Sequence, residues 1–278
     1  MSTVFMLSNL RNFTVLSWLI RLVPGVLVVA ILGTATAWQP SERLTVIHAP
    51  RAIPEIPKNL SGLTWNQETG TLFAVTNEPQ YIFELSPEGT VLRRVALHDF
   101  KDTEGITHIE GPYFALVEER KGVLCIVQLP ANATELRRDE ATSLSLGVAK
   151  SKNKGFEGIT YDPSSRTILT MREGKPFVCL SIPLDEQFRP GPVWRTPLPR
   201  LHVRDVASII RDPDGTLWIL SEASSRLVHL DHTGKELRRF ALRVTGRSFQ
   251  PEGVTRSPDG RIFIVGEPNI LGTYKIPD

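Results

Sequence analysis

The chain has 278 residues, 41% apolar and 22% charged, enough for one large globular domain or at most two. That composition excludes a disordered, collagenous, disulfide-rich or polytopic membrane chain. The net charge of +2 is set by the N-terminus. Without Arg11 and Arg21 the 32 Lys and Arg fall to 30, equal to the 30 Asp and Glu, which argues against a nucleic-acid partner.

In chain order, the first element is a signal peptide or membrane anchor over residues 1–37. Leu22 to Trp38 is uncharged and mostly apolar, with Arg11 and Arg21 on its N-terminal side. Positive charge stays cytoplasmic, so the remainder, residues 38–278, is expected to be exported. Ala35-Thr36-Ala37 fits the A-x-A pattern of signal cleavage. A helix from Leu22 to Trp38 would reach about 25 Å, short for a ~30 Å hydrocarbon core, so cleavage and retention both remain open. In a bacterium the destination is the periplasm, or the periplasmic side of the inner membrane for a retained anchor.

From residue 59 the chain repeats itself. Units open with NLSGLTWNQETGTLFAVTNE (59–78), DTEGITHIEGPYFALVEE (102–119), GFEGITYDPSSRTILTMRE (155–173), DVASIIRDPDGTLWILSE (205–222) and QPEGVTRSPDGRIFIVGE (250–267). Gly62, Gly105, Gly158, Ser208 and Gly253 share one slot, spaced 43, 53, 50 and 45 residues apart. In each unit an apolar run meets a turn such as Asp212-Pro213-Asp214-Gly215, where proline presets φ and glycine accepts positive φ. Alternating strands follow, such as Thr216 to Leu220 and Arg226 to Leu230. A fourth strand, Leu92 to Leu97, is nearly repeated as Leu237 to Leu242. Four antiparallel strands per ~45 residues make a propeller blade. The expected fold is therefore all-β, a five-bladed propeller of four-stranded antiparallel blades. The fifth unit stops after three strands, and Arg43 to His48 is assigned to complete it and close the ring.

Cys125 and Cys179 each lie six residues after a unit's second-strand glutamate. They should occupy the same place on neighbouring blades, beyond disulfide reach, as two separate buried thiols.

The acids point to a cation. The second strand of every unit ends in glutamate: Glu78, Glu119, Glu173, Glu222 and Glu267. The first strand begins with glutamate in three units, Glu104, Glu157 and Glu252, with Ser61 and Ala207 in the other two and Asp205 two residues before Ala207. Strand starts and ends meet in a hairpin, so both sets face one mouth of the central channel, up to nine carboxylates with Asp205. Like charges raise one another's pKa, and protons, basic partners or a metal must compensate. Oxygen ligands without His or Cys select calcium, with magnesium less well suited. The second-strand glutamates have an alternative role, accepting backbone N–H bonds from the next blade and locking the ring. The six histidines are expected in outer strands or loops. Arg93-Arg94 and Arg238-Arg239 read as solvated pairs, and Trp65, Trp194 and Trp218 as core. There is no G-x-S-x-G, Walker or dinucleotide motif.

Leu60-Ser61-Gly62-Leu63-Thr64-Trp65, Thr71 to Glu78, Asp102-Thr103-Glu104-Gly105-Ile106-Thr107 and Gly155-Phe156-Glu157-Gly158-Ile159-Thr160 resemble the bacterial SdiA-regulated, YjiK-like family over about residues 40–278. The resemblance implies a five-bladed, calcium-binding propeller distantly related to NHL-repeat proteins, with a membrane-proximal N-terminus and no assigned reaction. The leading expectation is thus an exported calcium-binding module with a small-molecule or periplasmic protein partner. The rival is a calcium-dependent lactonase- or esterase-like hydrolase, with the metal at the channel mouth polarising a carbonyl oxygen. A third reading is a metal-free scaffold.

Overall fold

The computed structural model describes residues 41–147, 155–198, 200–242 and 249–277. The signal or anchor segment lies outside them. Among the described residues no helix is long and apolar enough to cross a membrane.

Among the described residues twenty-one strands build five sheets, and the repeat units map onto them one by one. Strand β1 (Thr45–Ala52) comes first. Blade one holds β2 (Leu60–Asn66), β3 (Thr71–Asn77), β4 (Gln80–Leu85) and β5 (Val91–His98). Next come β6 (Thr103–Glu110), β7 (Tyr113–Glu118), β8 (Val123–Gln128), β9 (Glu135–Arg137) and β10 (Thr142–Ser145). Blade three is β11 (Phe156–Asp162), β12 (Thr167–Arg172), β13 (Cys179–Pro183) and β14 (Trp194–Thr196). Blade four is β15 (Ser208–Arg211), β16 (Leu217–Ser221), β17 (Arg226–Leu230) and β18 (Glu236–Ala241). The last three strands are β19 (Gln250–Arg256), β20 (Ile262–Glu267) and β21 (Ile270–Lys275).

Blade five has the order β1-β21-β20-β19, so the N-terminal strand supplies its outer edge, as expected from the missing fourth strand. Blade two is β6-β7-β8-β10. Its segment β9 instead crosses to blade one and pairs parallel with β5, giving that sheet a fifth strand that the repeat did not reveal.

Burial follows from the radial stacking of blades. Both faces of each sheet are covered, so middle strands such as β3, β7 and β20 are apolar runs with few exposed positions. Five apolar clusters form the core, each sandwiched between two neighbouring blades. Phe73 and Ile82 of blade one meet Phe114 and Leu116 of blade two, for example. Phe263 and Val265 of blade five meet Leu63 and Phe83 of blade one and complete the circle. Apolar burial at roughly 25 cal/mol per Å² is the main force holding such a ring.

The inner strands β2, β6, β11, β15 and β19 touch in ring order. The glycine slot makes this approach possible. A Cβ on Gly62 would stand 2.6 Å from the Glu104 carbonyl oxygen, and Gly105 and Gly253 press likewise on Glu157 and Ser61 of the next blade. Ser208 fills the slot in blade four and accepts a hydrogen bond from Val254 N (3.3 Å).

Several side chains depart from the sequence reading. Cys125 and Cys179 are free and buried, but not equivalent. Cys125 pairs with Leu116, one residue beyond the Val117 that faces Gly105, whereas Cys179 pairs with Met171, which faces Gly158. A longer turn before β13 shifts Cys179 by one, so Cys125 packs toward the preceding blade and Cys179 toward the following one. His108 is on the inner strand β6, not in an outer strand or loop. Arg93 and Arg239 are not solvated. Arg93 pairs with Glu84 at 3.0 Å, and Arg239, 6% exposed, pairs with Glu236. Trp218 is core, but Trp194 on the edge strand β14 is exposed.

Candidate metal centre

At one mouth of the channel, three inner strands carry their glutamate on a β-bulge. The pairing jumps from Thr103/Glu118 to Gly105/Val117, from Phe156/Arg172 to Gly158/Met171, and from Pro251/Gly266 to Gly253/Val265. The extra residues are Glu104, Glu157 and Glu252. A bulged residue escapes the ladder and has its side chain re-aimed, a device frequent beside functional sites.

The second-strand glutamates are brought alongside by a repeated backbone latch. Glu119 N donates to Asp102 O, and Glu173 N donates to Gly155 O, both at 2.9 Å. In blade one the equivalent bond is Asn77 N to Asn59 O at 3.3 Å. Asn59 and Asp102 adopt φ of 56° and 58°, which Asn and Asp tolerate better than most residues. Asp102 is thereby turned into the site. Asp102 is not among the glutamate positions that the repeat singles out, although the position three before the glycine slot repeats as Asn59, Asp102 and Asp205.

Two sets of carboxylates converge. Asp102, Glu104 and Glu119 offer oxygens within 4.8 Å of one another, as do Glu119, Glu157 and Glu173. Glu119 belongs to both. It is buried, and its Oε1 accepts Gly155 N from the next blade at 2.8 Å, so it also performs the locking role considered from sequence. Glu104 is oriented by blade one: Ser61 Oγ donates to its Oε2 (2.7 Å) and Asn77 Nδ2 to its Oε1 (2.8 Å). Arg120 Nε reaches Asp102 Oδ2 at 3.2 Å from an exposed position. Among the described residues, no ion pair reaches Glu104, Glu119, Glu157 or Glu252.

The remaining acids sit differently. Glu252 is outside both sets, but it repels and is repelled by Glu104, Glu222, Glu267 and Asp205. Asp205 is buried and tied to Ser221 Oγ and Ala223 N. Glu222 accepts a 3.4 Å bond from Gln250. Glu78 is exposed and outside both sets, and Asn59 Nδ2 bonds its backbone carbonyl (2.9 Å).

The electrostatics record the crowding. Burial pushes the Glu104 carboxyl up to about 7, opposed by the Ser61 and Asn77 hydrogen bonds and reinforced by Asp102 and Glu119. Burial, then repulsion from Glu104, Glu173, Glu119 and Glu252, holds Glu157 well above the carboxylate range. Burial and its four acidic neighbours push Glu252 up to about 8. Burial also raises Glu119, against the Gly155 N–H bond that lowers it. An acid ring with these properties takes up protons or a cation. Its oxygen-only donor set matches hard divalent ions.

Solved structures with a similar fold include the nidogen/laminin complex (14% identity, 76% of this chain and 73% of that one, TM-score 0.48). A gluconolactonase from Xanthomonas campestris is another (13%, 85% and 98%, TM-score 0.47). A third is the calcium-binding protein regucalcin from Agrobacterium tumefaciens (14%, 82% and 95%, TM-score 0.46). The SdiA-regulated family model matches residues 35–275, and the chain, with its five blades and acidic channel mouth, belongs to that family.

Proposed function

We propose that this propeller is a calcium-binding module whose cation is held at the acidic mouth by Asp102, Glu104, Glu119, Glu157 and Glu173, with Glu252 lowering the local potential. The observation that carries this reading is the pair of three-carboxylate sets joined through Glu119. Calcium takes six to eight oxygens in flexible geometry, which suits glutamates on bulges better than magnesium's strict octahedron does. Bound calcium would neutralise the ring and offer open positions to oxygens of a small molecule or partner protein. The chain's own contribution is positional. Ser61 and Asn77 fix the Glu104 carboxylate, Gly155 N fixes Glu119, and the bulges aim Glu104, Glu157 and Glu252 at the channel. Export to the periplasm, with residues 1–37 as signal or anchor, belongs to the same proposal and is supported by the one-sided charge at Arg11 and Arg21.

The test is a thermal melt of the full chain stripped with EDTA and titrated with calcium and then magnesium. A ligand bound by the folded state alone adds about 2.7 kcal/mol at a hundredfold excess over Kd. A higher midpoint with calcium than with magnesium is expected. A flat response to both would overturn the proposal.

A further inference from the structure

The channel has a second mouth, at the other end of the inner strands. Three residues past the glycine slot, the five blades place Trp65, His108, Tyr161, Arg211 and Arg256. A cavity of about 920 Å³ opens there, lined by residues of all five blades and including these five. That is the size of a small-molecule pocket.

The ring is held firmly. Trp65 N, His108 N and Arg211 N each donate to a threonine of the preceding blade: Thr255 (2.9 Å), Thr64 (3.1 Å) and Thr160 (3.1 Å). These backbone ties preorganise the side chains, which lowers the entropy lost on binding.

Three side-chain donors at this mouth lack a hydrogen-bond partner. Arg211 Nε, Arg256 Nε and Trp65 Nε1 are buried without a partner. The half-buried Arg211 guanidinium makes no hydrogen bond among the described residues, and its ion pair with Asp162 is a loose 3.8 Å. The nearby acids have partners of their own, and for Asp212 that partner is Arg256. Asp212 Oδ2 accepts Trp218 Nε1 (2.8 Å) and pairs with Arg256. Asp214 accepts Thr216 N (2.9 Å), and Asp162 accepts Ser164 N (2.9 Å). Buried donors without acceptors are costly, so an acceptor-rich ligand is favoured here.

We propose that this second mouth binds an organic carboxylate, its oxygens on the Arg211 guanidinium and its planar or apolar body against Trp65 and Tyr161. The guanidinium fork matches a carboxylate in two-point fashion. Phosphate shares that chemistry, but Glu68, Asp212 and Asp214 on the same lining oppose a second negative charge.

The test is calorimetric titration of the full chain in EDTA with benzoate, benzamide and inorganic phosphate as probes. Benzoate is expected to bind, with benzamide and phosphate at least about tenfold weaker. Arg211→Gln should weaken benzoate at least about tenfold, and Arg211→Lys, which keeps the charge but loses the fork, by less. Melting midpoints identify folded variants, and Arg211→Lys carries the test if Arg211→Gln does not fold. Repeating the titration with calcium should leave the benzoate affinity unchanged, which separates this site from the acidic mouth. The proposal falls if benzoate does not bind, if benzamide or phosphate binds as tightly, or if loss of the Arg211 fork changes nothing.

Discussion

Gly62 rests on the main chain of Glu104: a Cβ at that glycine would stand 2.6 Å from the Glu104 carbonyl oxygen and 2.9 Å from both Gly105 Cα and Ile106 N. Every obstacle is backbone, so no rotamer change can relieve the clash. The strand that would have to move is the one that carries the Glu104 carboxylate. Gly62→Ala is therefore expected to lower stability by at least about 1–3 kcal/mol and to weaken cation binding as well. Gly158 is the control, since its Cβ would first meet the side chain of Ile209 at 3.2 Å, a looser contact than any of the three at Gly62. Urea unfolding of the two variants should rank Gly62→Ala clearly below Gly158→Ala. Equal stabilities would mean that the inner strands are not packed as tightly as described.

Glu119 separates the ligand role from the locking role. Glu119→Gln keeps an oxygen for Gly155 N (2.8 Å) but removes the charge shared by both carboxylate sets. The variant should fold and lose most of its calcium-dependent rise in melting midpoint. Glu119→Ala also abandons the Gly155 N–H and should cost a further ~1–3 kcal/mol without any metal. Glu78→Gln should retain the full calcium response, because Glu78 is exposed and outside both sets. A calcium response that survives Glu119→Gln but not Glu78→Gln would refute the assignment.

The blades were legible because turn chemistry and the glycine slot recur at nearly constant spacing, and local rules of that kind survive tertiary packing. The strand β9 was not, because its parallel pairing with β5 depends on a crossing between blades. The bulged glutamates were visible as repeat positions, whereas Asp102 was hidden by its place in a left-handed residue ahead of β6. The second mouth was hidden differently. Trp65, His108, Tyr161, Arg211 and Arg256 share a position, but beyond the two arginines they share no chemistry, so comparison of repeats by identity passes over them. The burial of Arg239 came from its short-range pairing with Glu236, which a charge count reads as two solvated residues.

The two thiols should be inert in the native protein. Burial pushes Cys125 up to about 12, with a nearby Glu118 carboxylate adding to the effect, and pushes Cys179 up to about 11. The thiolate is the reactive form, and little of it exists at neutral pH in either place. A chromogenic disulfide reagent should find no thiol in the folded chain and both in denaturant. Rapid labelling of one cysteine without denaturant would show that its blade interface opens locally.

The acidic mouth should make stability depend on pH in a direction opposite to that of an ordinary salt-bridged carboxylate. An unfolded glutamate titrates near 4.5, whereas Glu104 titrates at about 7 and Glu252 at about 8 in the folded chain. Between those limits the native state binds more protons than the unfolded state, so stability falls as pH rises. The contribution is fully present below about 4.5 and lost once pH has passed through about 8. In EDTA the melting midpoint should therefore decline across this interval. Glu252→Gln, which cannot ionise, should flatten the decline and raise the midpoint at its alkaline end. Saturating calcium should do the same for the unaltered chain by replacing the missing protons with fixed positive charge. A midpoint that climbs with pH in EDTA, or a decline that Glu252→Gln leaves untouched, would show that the ring's charges are already compensated inside the protein.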